Sequence, residues 1–322
     1  MTFPHLHVAS AFSGHYGVTR PELLAEATAA RGGTHAAITD RNGLYGAVKH
    51  IGACLKLGLT PIVGVSLNIL SDDGAKLARC VILAHGSDGG LGWSALCQIV
   101  SKANQTKQKE AGIKLSELST LATRDSLAVA TVLLGPDSDF GNAVLAEDRV
   151  TAAASLVAWR KALPHRGSLA VEITTHLTEP GTPYSLVQAR RILQLADNLG
   201  IPAVLTNSVR YLEPDDALTA DVLDAARHLE PLGEFTPQPN AQAWLKPQKL
   251  MEKLAEEITE EKPRARKLLD TTQKLAEACS LNPEKDCDWG KPKTPEKALL
   301  GIDGNPFEVL WQKAHTLSLI RI

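Results

Sequence analysis

The sequence predicts an α/β protein folded as a barrel or a doubly wound sheet, and three observations carry that expectation. Short apolar runs of strand character alternate with amphipathic helical stretches. Their order is strand, loop, helix, strand, which is the signature of repeated crossovers. A hydrophobic content of 44% over 322 residues supplies a core for one large domain or two modest ones.

The first unit sets the pattern. Thr19 stands as a helix cap with Pro21 in the first turn, the helix runs through Leu23 and Leu24 to Ala30, and Gly32 and Gly33 end it. Residues 35–39 form a strand. Asp40 to Gly43 then turn the chain into a helix over 44–57, and 61–66 is the next strand. Further strands are expected at 80–84, 127–134, 169–173 and 202–206, with helices near 93–105, 142–162, 184–199 and 215–228. The composition changes after about residue 230. Residues 234–243 read as a loop, 247–279 as a charged amphipathic helical stretch, and 282–306 carry the proline, glycine and charge of a linker. The last sixteen residues hold at most one short helix.

Charge and cysteine usage narrow the function classes. The 34 basic residues nearly cancel the 36 acidic ones, so no overall field draws the chain to nucleic acid or to an anionic membrane. Any contact with DNA is expected to be weak or indirect. Cys54, Cys80, Cys97, Cys279 and Cys287 are scattered and odd in number, which argues against a disulfide framework and for a reduced cytoplasm. No apolar stretch has the length of a membrane span, and the first thirteen residues lack the apolar centre of a signal peptide.

In α/β barrels the chemistry gathers where strands end, because those ends converge on one open face. His5 and His7 are an H-x-H pair on an extended segment, a spacing that points both rings to one side. Asp40 directly follows a strand, Ser66 lies near the end of the next, Glu172 and His176 flank the end of another, and Ser208 and Arg210 follow the strand that leads to Asn207. On residue type alone the bland readings stand beside these. The histidines are ordinary strand or loop residues, with His15 among them; Asp40 is a turn or cap; Glu172 and His176 are structural. The run 85–90 is a strand-to-helix turn that lacks the Walker lysine, and the lysines from Lys102 to Lys109 form a solvated face.

The ordered motifs resemble the PHP (polymerase and histidinol phosphatase) domain of bacterial C-family DNA polymerase III alpha subunits, in an actinobacterial-like variant. Phe3-Pro-His-Leu-His-Val-Ala-Ser10 is similar to the opening H-L-H-x-H-S string of that domain. Thr39-Asp40-Arg41-Asn-Gly is similar to its T-D-H motif, and Pro61-Ile-Val-Gly-Val-Ser66 to its P-I-I-G-x-E segment. Val171-Glu172-Ile-Thr-Thr-His176 resembles L-E-x-x-x-H, and Thr206-Asn207-Ser208-Val209-Arg210-Tyr211 resembles T-N-D-V-H-Y. Ala243-Trp-Leu-Lys-Pro-Gln248 and Lys274 to Cys279 resemble the closing segments, so the likeness covers about 2–282.

The resemblance implies a distorted TIM-like (β/α)7 barrel of PHP type. It further implies a PHP domain over 1–282, with the barrel at about 1–230 and a helical segment at about 247–280, and a linker or the start of a polymerase domain over 283–322. It also implies a site for two or three divalent ions that activate water against a phosphoester. At the matching positions this chain carries Ala9, Arg41, Ser66, Ser208 and Arg210 in place of ligands. His5, His7, Asp40, Glu172 and His176 remain as metal candidates, with His15 near a loop ligand and Tyr16 where relatives carry an acid. Alanine has no donor atom, and guanidinium repels a cation.

No cofactor is therefore expected, with Zn or Mn as the alternative if the site works. The expected role is that of a structural and interaction module in DNA replication or repair. Its partners would be the rest of the alpha subunit and an exonuclease or another replisome subunit. The competing reading is a metal-dependent phosphoesterase or 3′–5′ proofreading exonuclease. Palm carboxylates of a DNA-directed DNA polymerase are not recognisable in this chain. The two arginines are expected to replace the lost ions by pairing with Asp40 or Glu172, and a phosphate or nucleotide between them is a third possibility.

Overall fold

The computed structural model describes residues 2–86, 89–105, 111–291, 297, 301 and 303–319. Helix α1 (Pro21–Ala30) has Pro21 and Glu22 in its first turn, and its cap is Arg20 with no side-chain bond, one residue later than the expected Thr19. Strand β1 (His35–Ile38) leads to α2 (Ala47–Leu57), which begins three residues later than expected and ends at Gly58 with φ +68, a left-handed position that glycine adopts without strain.

Strands β2 (Thr60–Leu70) and β3 (Lys76–Ala84) are longer than the sequence suggests, and they form an antiparallel hairpin around Asp72, Asp73 and Gly74. The pair is therefore antiparallel, an exception to the crossover pattern. Helix α3 (Leu91–Ala103), strand β4 (Gly112–Lys114), helix α4 (Leu115–Leu121) and the small hairpin β5 (Thr123–Arg124) with β6 (Leu127–Ala128) lead into β7 (Ala130–Leu134). The single strand expected over 127–134 is thus two.

The helix expected over 142–162 is also two, α5 (Asp139–Leu145) and α6 (Arg149–Ala162). Glu147 at φ +61 breaks the run, and the Asp148 side chain caps the second helix on the Thr151 amide. Strand β8 (Leu169–Ile173), helix α7 (Leu186–Leu199) and strand β9 (Ala203–Leu205) follow, then a single 3₁₀ turn (Pro214–Asp216) and α8 (Ala217–His228). The stretch after 247 divides at Glu260, φ +59, into α9 (Gln248–Thr259) and α10 (Lys262–Ala278), with a short α11 (Pro283–Asp286) behind them. The chain up to Cys287 is one compact unit; a second unit begins at Asp288 and contains α12 (Pro306–Leu319).

Among the described residues, the main sheet runs β1-β2-β3-β7-β8-β9, with β4 beside the far end of β2. The pairs β1/β2, β7/β8 and β8/β9 are parallel, and the two pairs that involve β3 in the main order are antiparallel. The sheet curls, and the N-terminal segment spans the gap between β9 and β1. The Val209 amide donates to the His7 carbonyl at 2.9 Å and the Ala9 amide to the Val209 carbonyl at 2.8 Å, while on the other side the Thr39 amide donates to the Val8 carbonyl at 2.8 Å. The segment makes a bridge rather than a regular strand, because the Val8 amide goes to the Thr39 hydroxyl and the ladder stops there.

Leu6, Ala37, Ile62, Val81, Leu83, Leu133, Ala170 and Val204 fill the inside of the curl, and Ala276 and Cys279 at the end of α10 close its lower end. The result is a distorted TIM-like barrel, with strand ends β1, β2, β8 and β9 opening toward one mouth.

Candidate functional site at the barrel mouth

His7 and Glu172 form the centre. His7 Nδ1 lies 2.7 Å from Glu172 Oε1, and the Thr206 hydroxyl donates to the same oxygen at 2.6 Å. Thr206 in turn shares a 2.6 Å hydrogen bond with Thr174. Burial pushes the Glu172 carboxyl up, but the charge and hydrogen bond of His7, with the Thr206 hydroxyl, hold it below the usual carboxylate range. Parallel pairing of β8 with β9 sets this up, since it places Glu172 opposite Val204 and brings Thr206 within reach.

Asp40 is turned into the protein. Its Oδ1 accepts from the Ser10 amide and the Ser13 hydroxyl, both at 2.7 Å, and its Oδ2 from the Ser10 hydroxyl at 2.9 Å. Burial raises its pKa against those three hydrogen bonds. The same Ser13 hydroxyl accepts the Arg41 amide at 3.0 Å, so one serine ties the loop after the N-terminal segment to the turn after β1. Gly17 is required there: a Cβ would lie 2.0 Å from the Ser10 carbonyl oxygen.

Neither arginine pairs as the sequence suggested. Buried Arg210 reaches Asp224 Oδ2 on α8 at 2.8 Å, and Asp224 Oδ1 also takes Arg227 at 2.6 Å. Arg210 donates to the Tyr16 carbonyl as well, at 3.2 and 3.4 Å. Arg41 stacks over the Tyr16 ring with its guanidinium carbon 3.3 Å from the centroid, and among the described residues it meets no carboxylate. The expected partners are engaged elsewhere: Asp40 accepts from Ser10 and Ser13, and Glu172 Oε1 contacts His7 and Thr206. The direct Arg210–Asp224 pair also counts against a phosphate held between the two arginines.

His5 and His7 do not share a face. His5 Nε2 points to the Lys246 carbonyl at 2.8 Å with its ring edge-on to Phe3, and its Nδ1 is buried without a partner. The irregular bridge at Val8 removes the strand geometry that would align the two rings. His176 Nε2 bonds the Asn207 carbonyl at 2.9 Å, and its ring stacks on Tyr184. Burial depresses both His5 and His176 to about 4.

Ser66 is buried mid-strand; its carbonyl accepts Arg79 at 3.0 Å and its amide donates to the Asp40 carbonyl. Buried Ser208 is held at φ +44, Ala9 is buried beside Val209, and His15 is exposed at φ +54. Of the run 85–90, Ser87 and Asp88 lie outside the described residues, as do Lys107 and Lys109; Lys102 pairs with Glu117 at 3.2 Å.

Sequence reasoning missed Asp224 and Lys246 as site residues. Asp224 sits on an otherwise ordinary amphipathic helix, and no local signal marks it. Lys246 is a lysine in an apolar run before Pro247, and that contrast was a usable sign. Its ammonium is buried, donates to Asn207 Oδ1 at 2.8 Å and to the Gln242 carbonyl at 2.6 Å, and is pushed down to about 7 by burial.

The donor set does not fit a Zn or Mn cluster. Asp40 is held by serines, His7 and Glu172 are bonded to each other, and Ala9, Ser66 and Ser208 supply no strong ligand; the carbonyl contacts of His5 and His176 occupy one ring nitrogen of each. A tetrahedral site needs at least three such protein ligands. Among the described residues no three His, Cys, Asp or Glu side chains converge as a metal site. The cleft lined by His7, Tyr16, Arg41, Ser66, Glu172 and Ser208 has a cavity of about 10 Å³, room for one water.

The PHP domain family model matches residues 5–176. Similar curated proteins include the DNA polymerase III subunit alpha of Buchnera aphidicola subsp. Acyrthosiphon pisum, 29% identical over 66% of this chain and 18% of that protein. The DNA polymerase III subunit alpha of Escherichia coli K12 is 28% identical over 66% of this chain and 18% of its own length. That of Halalkalibacterium halodurans is 26% identical over 91% of this chain and 24% of its own length. The chain thus spans about a fifth of the length of these relatives. Among solved structures, an amidohydrolase from Chromobacterium violaceum with bound SO4 and no metal aligns at a TM-score of 0.44 and 14% identity, covering 64% of this chain and 87% of that one.

Proposed function

The chain belongs to the PHP domain family, and on that premise we propose that it is the N-terminal PHP domain of a DNA polymerase III alpha subunit-like protein, a structural and interaction module without catalysis of its own. One observation carries this reading: the two surviving carboxylates, Asp40 and Glu172, are hydrogen-bonded by serine, threonine and histidine side chains of the protein itself.

The domain extends over 1–282, with the barrel at about 1–230 and the helical segment at about 247–280, and 283–322 serve as a linker or the start of a polymerase domain. The barrel supports the polymerase body and offers a face to an exonuclease or another replisome subunit, in DNA replication or repair in the cytoplasm. A net charge of −2 favours only weak or indirect contact with DNA. No helix among the described residues is long and apolar enough to cross a membrane.

Elemental analysis of the purified chain, with an assay for release of a 3′-terminal nucleotide in the presence of Mn²⁺ or Zn²⁺, tests the proposal. We expect neither stoichiometric metal nor cleavage. Stoichiometric metal with cleavage, both lost in His7→Ala, would establish the phosphoesterase or proofreading exonuclease instead.

A further inference from the structure

Three guanidinium groups gather on one aromatic ring at the mouth. The Tyr16 centroid lies 3.3 Å from the guanidinium carbon of Arg41, 4.1 Å from that of Arg210 and 5.8 Å from that of Arg227. The first two distances are those of direct stacking, and partial burial strengthens such contacts.

The backbone around the ring is fastened to the same groups. Arg210 donates to the Tyr16 carbonyl, and the Val18 amide donates to the Arg210 carbonyl at 2.9 Å. The Ser13 hydroxyl donates to Asp40 and accepts the Arg41 amide. Three separate parts of the mouth therefore meet at Tyr16: the turn after β1 through Arg41, the exit of β9 through Arg210, and α8 through Asp224 and Arg227. A bound divalent ion cross-links loops in the same way, by holding several side chains on one charge. Here the positive charges are supplied by arginine: Asp224 pairs with Arg210 and Arg227, and the π face of Tyr16 attracts Arg41.

The geometry points to Tyr16 as the keystone of a metal-independent latch that shuts the barrel mouth: residues 10–18 form a strap, and the Tyr16 ring holds it down. The latch accounts for two features together. Arg41 tolerates the lack of a carboxylate because the ring face attracts its guanidinium, and the cleft beneath holds only about 10 Å³, beside a pocket of about 310 Å³ that shares Tyr16, Tyr184 and Ser208. The inference rests on the reading of a site that does not bind metal and deepens it by naming what replaced the ion.

Amide hydrogen exchange and thermal unfolding of the full chain, in chelator and in added ZnCl₂ or MnCl₂, test it. Tyr16→Phe keeps the ring and should exchange like wild type. Tyr16→Ala should speed exchange across residues 10–18 by roughly fivefold or more, the loss expected for a cation–π contact. Arg41→Met, at a partly buried site where no paired carboxylate is left behind, should loosen the same strap with little change in the global midpoint. Unchanged strap exchange in both Tyr16→Ala and Arg41→Met, with no metal uptake by wild type, would overturn the latch and leave the module reading standing. Stoichiometric metal uptake that slows strap exchange in wild type would overturn both.

Discussion

Removing the Asp224 carboxylate leaves the Arg210 guanidinium buried without its counter-charge, because both side chains are less than a tenth exposed. Asp224→Ala is expected to lower unfolding free energy by about 3–5 kcal/mol, the cost of breaking a buried pair on one side, as read from a urea titration. Arg227 stays nearby and adds to the uncompensated charge. The buried histidines make a second residue-level prediction. His50 is 1% exposed, its Nε2–H donates to the Ala36 carbonyl at 3.0 Å, and it is depressed by burial from 6.5 to about 4. Between those values the unfolded chain holds a proton that the folded chain excludes. Its contribution is therefore intact above pH 6.5 and is lost as pH falls toward 4, by up to about 1.4 kcal/mol per pH unit. His5 and His176 add slopes of the same sign, so denaturant unfolding at a series of pH values should show their sum, and His50→Gln should reduce it by about one proton's share.

The helix α10 shows how one element holds the barrel from below. The Thr272 hydroxyl accepts the Leu205 amide of β9 at 2.8 Å, and both groups are buried. Thr272→Val keeps the shape and strands that amide, so a loss of about 1–3 kcal/mol is expected in the same titration. Elements of this kind were legible where periodicity and punctuation agreed: β8 over 169–173 has the bounds expected, and α7 ends at Gly200 as a glycine stop predicts. They were misread where a local device overrode the pattern. The Asp148 cap splits one expected helix, the turn at Gly74 joins two expected strands into a longer antiparallel hairpin, and the Thr39 hydroxyl ends the first ladder after one bridge. The site was legible by position and not by pairing. Strand order placed His7, Asp40, Glu172, Ser208 and Arg210 at one mouth, but which carboxylate meets which cation depends on α8, an element that carried no motif.

At the level of the whole molecule, the compact unit that ends at Cys287 makes the division of the chain testable. A chain cut after Cys287 is expected to unfold with the same urea midpoint as the full chain; a shifted midpoint or a lost cooperative transition would count against the proposed linker. The closed lower end of the barrel has one more consequence. Cys279, wedged under the curl with no exposed surface, has its thiol held far above the usual range by burial, whereas Cys97 and Cys287 are partly exposed. The molecule thus carries a built-in clock for its own opening. A thiol-labelling reagent should modify the exposed pair at once, and the delay before Cys279 reacts measures how often the base of the barrel comes undone.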